Sequence, residues 1–232
     1  MVRDEPVLTV RPARSGTRAV ALVLHGGAQF GVASVRPWRL AYLRMVPLAR
    51  ALSAAGRRHG LTVALLRNRV RGWNAPQLDP VRDARWALGR LRAEFPGAPV
   101  VLVGHSMGGR VALRVADDPA VVGVCALAPW TPGDEPVDAV RGRSVLIVHG
   151  TRDRITGPAD SRAFADRAQA TAARIARFEV ADEGHAMLRR SPVWTGLVTG
   201  FTLATLGMPV TDGEPLASAW TKPAPHRLRI PL

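Results

Sequence analysis

The sequence predicts an α/β protein, a mostly parallel central sheet with helices on both faces. Three observations carry that expectation. Apolar, β-branched runs alternate along the chain with longer amphipathic stretches, which is the pattern of parallel strands joined by crossover helices. One such run, Val100 to Val103, enters Gly104-His105-Ser106-Met107-Gly108-Gly109 directly, and a helix-forming segment follows. The length of 232 residues suits one domain able to bury a substantial core.

The strand candidates are Val7 to Arg11, Ala19 to Leu24, Leu61 to Leu66, Val100 to Val103, Val121 to Leu127, Val145 to Val148 and Ile175 to Val180. Helical periodicity covers Leu40 to His59, Pro80 to Phe95, Met107 to Ala116, Ala159 to Ala172 and Pro192 to Leu206. These elements make residues 1–206 a single domain. From Gly207 to Leu232 the chain turns Pro-rich and loses periodicity, so this segment is expected to be an irregular tail. No internal repeat is visible.

The Gly-x-Ser-x-Gly segment is the most informative. A serine between a buried strand and a helix sits on a very tight turn, and small neighbours are needed because a Cβ would strike the adjoining strand or helix. The turn presents the hydroxyl at a helix N-terminus, where free N–H groups and the helix dipole favour developing negative charge. Two further strands end in polar residues of the matching kind. His149-Gly150-Thr151-Arg152-Asp153 follows Val145 to Val148, and Glu183-Gly184-His185 follows Ile175 to Val180. Both lie beyond strand C-termini, the edge where open α/β sheets build their sites.

Ser106, Asp153 and His185 therefore run in the order Ser…Asp…His. In motif and order, from about residue 19 to about 206, the chain resembles the α/β-hydrolase superfamily. Within it the chain is most similar to small, lidless bacterial esterases of the dienelactone-hydrolase or lysophospholipase kind. The resemblance implies an α/β-hydrolase fold with Ser106 as nucleophile, His185 as base and Asp153 as acid. It also implies that the loop after Ala19 to Leu24, His25-Gly26-Gly27-Ala28, supplies one oxyanion-hole amide at Gly27, with the second from Met107.

Six histidines compete for the role of base. His185 follows a glycine on a loop past the last predicted strand and is preferred. His105 should turn under the helix, His25 and His149 read as hydrogen-bonded loop residues, and His59 and His226 as solvated ones. For the acid, Asp134 and Glu135 are the alternative position, in a Pro/Gly-rich loop that places a side chain less rigidly. Arg152 and Arg154 are expected to hold the Asp153 carboxylate ionised. The histidines lack metal-ligand spacing and Cys125 has no cysteine partner, so neither a metal nor another cofactor is expected.

Only Ala128 to Arg143 separates the strand Val121 to Leu127 from the next, too short for a lid domain. Gln29 and Trp130 are the candidate substrate-binding residues of an open pocket. Phe30 and Trp73 are weaker candidates, with packing the preferred role for Trp73.

The formal net charge is +14, and Lys222 is the only lysine among 32 basic residues. The arginines are scattered, with no aromatic-interleaved stripe, so no nucleic-acid partner is expected. The first residues, Met1 to Pro6, begin no apolar stretch and no run approaches spanning length. The expectation is a cytoplasmic protein without membrane insertion, and Cys125 in an apolar strand agrees. The sequence leaves the oligomeric state open. The expected activity is hydrolysis of small to medium carboxylic esters or thioesters. An acyltransferase with the same triad and a non-catalytic ligand-binding protein of the same fold are the alternatives.

Overall fold

The computed structural model describes residues 5–210, 214–224 and 226–232. The Met1 to Asp4 stretch read above lies outside them. Eight strands form one sheet: β1 (Val7–Arg11), β2 (Ala19–Leu24), β3 (Leu61–Arg67), β4 (Val100–His105), β5 (Val121–Leu127), β6 (Ser144–Gly150), β7 (Arg174–Val180) and β8 (Ile230–Pro231). Their spatial order is β1-β3-β2-β4-β5-β6-β7-β8. β1 runs antiparallel to β3 and all other pairings are parallel. The expected mostly parallel sheet is therefore present.

Successive residues of a strand point to opposite faces, which divides the core in two. Ala19, Ala21 and Val23 of β2 join one apolar cluster, and Val20, Leu22 and Leu24 join the other. The first cluster is covered by α1 (Leu40–Leu43), α2 (Met45–Gly56), α6 (Ser191–Thr205) and α7 (Glu214–Thr221); the second by α3 (Asp79–Glu94), α4 (Met107–Arg114) and α5 (Pro158–Ala168). Helical periodicity explains the docking. α2 buries Met45, Leu48, Ala49 and Leu52, and α3 buries Ala84, Ala87, Leu88 and Leu91, each at i, i+3, i+4, i+7.

Two expectations need correction. The single helix expected over Leu40 to His59 is broken into α1, α2 and a 3-10 turn, Arg57–His59. Pro47 lacks an N–H and its ring crowds the carbonyl four residues back, so it is accommodated in the first turn of a new helix starting at Met45. The segment 207–232 is also not irregular: it carries α7, a 3-10 turn (His226–Leu228) and β8, which pairs with β7. Its signals are short ones. α7 has only eight residues, with Leu216 and Ala219 buried, and two-residue β8 is too brief to show a period.

The chain passes from β2 outward to β3 and returns to the other side of β2 as β4. Crossovers thus leave in opposite directions from the C-terminal ends of β2 and β4, opening a crevice there. The loops after β2, β4, β6 and β7 all converge on this edge. The link from β5 to β6 is a loop with one 3-10 turn, Asp138–Val140, and inserts no lid.

Candidate active site

Ser106 follows β4 at φ 56°, ψ −121°, a conformation L-residues rarely adopt, which costs on the order of 1–3 kcal/mol. The surroundings hold it there. Its N–H donates to Leu127 O (2.9 Å), while its carbonyl accepts from the N–H of Arg110 (3.1 Å) and Trp130 (3.2 Å). A Cβ on Gly104 would collide with the Gly108 backbone, and one on Gly108 with the backbone of Leu24 and His25. The elbow therefore needs both glycines so that α4 can lie against β2 and β4.

The three residues in Ser…Asp…His order meet. His185 Nε2 lies 3.0 Å from Ser106 Oγ, and His185 Nδ1 lies 2.8 Å from Asp153 Oδ2. Asp153 is buried on the loop after β6. Its Oδ1 accepts the N–H groups of Ile155 (2.8 Å) and Thr156 (3.0 Å); its Oδ2 accepts the Thr156 hydroxyl (2.9 Å) and faces His149 Nε2 at 3.2 Å. Burial alone would raise the carboxyl pKa. Hydrogen bonds from His149 and His185, then from Ile155 and Thr156, outweigh it and hold the pKa well below the usual carboxylate range. The arginines expected to do this do not. Arg152 pairs with Asp182 at 2.7 Å, and Arg154 is exposed, because residues flanking an inward-facing aspartate point outward. Asp134 is exposed, and Glu135 is taken up by Arg110 and Arg114.

Two further histidines support the same arrangement. The N–H at His105 Nε2 donates to the main-chain carbonyl of His185 (2.9 Å), with the rings 4.7 Å apart, so it braces the loop carrying His185. Burial, then the nearby His185, lowers the His105 pKa to about 3, so it is neutral at physiological pH. Glu183 anchors the other end of that loop, accepting from the N–H groups of Gly184 (3.0 Å) and Arg190 (2.7 Å). The sequence showed His149 as a loop histidine four residues before Asp153, but not that it faces the same carboxylate oxygen as His185.

A cleft of roughly 280 Å³ opens over Ser106, lined by Gly27, Gln29, Met107, Trp130 and Ile155 among others. The Gly27 loop is fixed by Ala28 N–H donating to Arg71 O (2.9 Å) and by Trp73 N–H donating to Ala28 O (2.8 Å). A Cβ on Gly27 would strike Arg71 O and the Met107 side chain. Met107 opens α4, so its N–H has no carbonyl a turn earlier in the helix to bond. Trp130 stands at the cleft wall. Trp73 is buried behind it, with the Arg110 guanidinium 4.0 Å and 4.4 Å from the two indole centres. Phe30 is not among the cleft-lining residues, and among the described residues no His/Cys/Asp/Glu cluster suits a metal ion.

The fold, together with a serine–histidine–aspartate arrangement on a strained elbow, places this chain in the class of α/β hydrolases. Residues 21–222 match the model of the alpha/beta hydrolase family, and the chain belongs to that family. No curated protein sequence matches it. Solved structures share its fold. A lidless a/b serine hydrolase of Xanthomonas campestris matches at TM-score 0.63 with 20% identity, over 89% of this chain and 91% of that one. An alpha-beta serine hydrolase homologue from Coxiella burnetii gives 0.64 with 16% identity, over 84% and 90%. A monoacylglycerol lipase of Paleococcus ferrophilus gives 0.62 with 15% identity, over 86% and 99%.

Proposed function

We propose that this protein hydrolyses carboxylic esters or thioesters through an acyl-enzyme on Ser106. The observation that carries the reading is the continuous line from Ser106 Oγ through the His185 ring to Asp153, at 3.0 Å and 2.8 Å. Ser106 Oγ attacks the carbonyl carbon while His185 Nε2 takes its proton, and Asp153 orients the ring and stabilises the imidazolium. The carbonyl oxygen becomes an oxyanion facing the N–H groups of Gly27 and Met107. Collapse of the tetrahedral intermediate breaks the ester C–O (or thioester C–S) bond. The leaving group takes the proton from His185, and the acyl group stays on Ser106. Water, deprotonated by His185, attacks the acyl carbon; the collapse breaks the bond from that carbon to Ser106 Oγ, which takes the proton back from His185, and frees the acid.

Gln29 and Trp130 are the residues we assign to substrate binding, at the cleft wall. The lidless cleft does not exclude bulk water from the acyl-enzyme, which sets hydrolysis ahead of acyl transfer. A fluorophosphonate probe tests the reading: stoichiometric labelling at Ser106 is expected, and folded protein that stays unlabelled would overturn it.

A further inference from the structure

Eight large apolar side chains are conspicuously exposed among the described residues, and seven of them are not scattered. Trp38, Leu40, Leu43, Leu188 and Ile155 each line at least one of three cavities at the catalytic edge of the sheet. The cavities adjoin one another: the reacting cleft shares Gly27 and Ala28 with the first groove, which shares Leu40 with the second. Phe30 and Val32 project from the same loop, between cleft-lining Gln29 and groove-lining Arg36. Their exposures run from 43% to 76%. The eighth, Val10, at 36%, lies on β1 at the far margin of the sheet. An apolar ring of this kind marks an interaction surface.

The charges in the ring are of one sign. Arg36, Arg39 and Arg71 line the first groove, no Asp or Glu lines either groove, and Arg154 and Arg189 adjoin Ile155 and Leu188. All five are exposed, and none forms an ion pair among the described residues. Exposed tryptophan and leucine set among unpaired arginines is the composition that binds an anionic bilayer: apolar side chains enter the acyl boundary while guanidinium groups meet the headgroups. No helix of the described residues is long and apolar enough to cross a membrane, so such attachment is peripheral.

We infer that the mouth of the catalytic cleft docks on an anionic lipid bilayer, and, resting on the esterase reading above, that the substrates met there are esters of amphiphiles in that bilayer. The lidless cleft has no cover of its own for a long acyl chain, and the bilayer takes that place.

The binding test uses the Ser106→Ala chain, so that it is independent of any catalysis. Sedimentation with vesicles of phosphatidylcholine alone is compared with vesicles of phosphatidylcholine mixed with phosphatidylglycerol. The mixed vesicles should bind the protein at least about tenfold better. Added salt should weaken that binding, and either Trp38→Ser/Leu40→Ser or Arg36→Gln/Arg39→Gln should lower it about tenfold. Val10→Ser, with circular dichroism as a folding check on all variants, should leave it unchanged. No preference for the anionic vesicles, equal loss in the Val10→Ser chain, or a stable dimer in sedimentation velocity that the Trp38→Ser/Leu40→Ser pair dissociates would overturn the inference. Failure of fluorophosphonate labelling would strike the esterase reading and leave the binding result intact.

Discussion

His149 and His185 approach the same carboxylate oxygen, Oδ2 of Asp153, at 3.2 Å and 2.8 Å. His149 is completely buried, with its other nitrogen 2.8 Å from Ser161 Oγ, so its ring cannot swing away. In the proposed mechanism it acts only through the aspartate, as a positioning residue. His149→Ala should lower kcat by about tenfold to a hundredfold with little change in KM, since substrate never touches it. Losing a buried hydrogen-bond partner should also cost about 1–3 kcal/mol of stability. Steady-state kinetics beside urea unfolding check both, and a change confined to KM would contradict the assignment.

Asp153→Asn should leave the chain folded and reduce turnover by roughly 10⁴-fold, the scale found when a triad aspartate is replaced and the wrong histidine tautomer is favoured. Asp134→Asn should be nearly silent, because Asp134 is exposed and outside the His149–Asp153–His185 network. Ester hydrolysis by the two variants, measured side by side, decides which aspartate is the acid.

Gly27→Ala places a methyl group against Arg71 O and the Met107 side chain, so the loop must shift. An oxyanion donor displaced in this way should cost about 10²–10³-fold in kcat. Pre-steady-state acylation should slow, and fluorophosphonate labelling should slow with it.

Acid should destabilise the fold through two buried histidines. The Asn68 N–H donates to His25 Nε2 (3.1 Å), so Nδ1 carries the proton and faces Gly26 O (2.6 Å). A second proton at Nε2 would oppose the Asn68 N–H. Burial is the main cause that lowers the His25 pKa to about 4, and His105 titrates near 3. An unfolded histidine takes its proton near pH 6.5. Between that pH and about 4 the unfolded chain therefore binds more protons than the folded one, and stability falls as pH falls. For His25 alone the loss is on the order of 3 kcal/mol by pH 4. Urea midpoints taken between pH 7 and 4.5 should decline, and the slope should flatten in His25→Gln.

A cleft of roughly 280 Å³ with no lid leaves a long acyl chain in water, and each exposed CH₂ forgoes roughly 0.8 kcal/mol of transfer free energy. For soluble p-nitrophenyl esters kcat/KM should level off or fall beyond about six carbons. A steep rise toward long chains in vesicle-free solution would show that the cleft is deeper than its walls indicate.

The sheet was legible because each strand is a dense apolar run, and the elbow because Gly104, Ser106 and Gly108 mark a turn that few other sequences can make. Ser106, Asp153 and His185 could be ordered from strand ends alone. What escaped were properties of side-chain direction. Arg152 and Arg154 flank Asp153 in sequence yet point away from it, while His149 and Thr156 hold its carboxylate. His105 was expected beneath the helix, but nothing local indicates that it holds a carbonyl eighty residues away. α7 and β8 escaped because a helix of two turns and a strand of two residues carry too little periodicity to stand out from prolines.

Strand β8 has a consequence for how the molecule is made. The Ala181 N–H donates to the Leu232 main-chain oxygen (2.8 Å), the Leu232 N–H donates to Glu179 O (2.9 Å), and Arg190 also reaches the Leu232 oxygen (2.7 Å). Arg190 in turn holds Glu183, two residues before the catalytic-edge His185. A ribosome that has released residues 1–206 has therefore delivered Ser106, Asp153 and His185, but not the brace behind the loop that carries His185. Until residue 232 is in place, the outer margin of β7 stays open to pairing with another nascent chain. Burial of the β7 margin and support of the His185 loop are thereby tied to residues 230–232, more than forty residues beyond His185 in the chain.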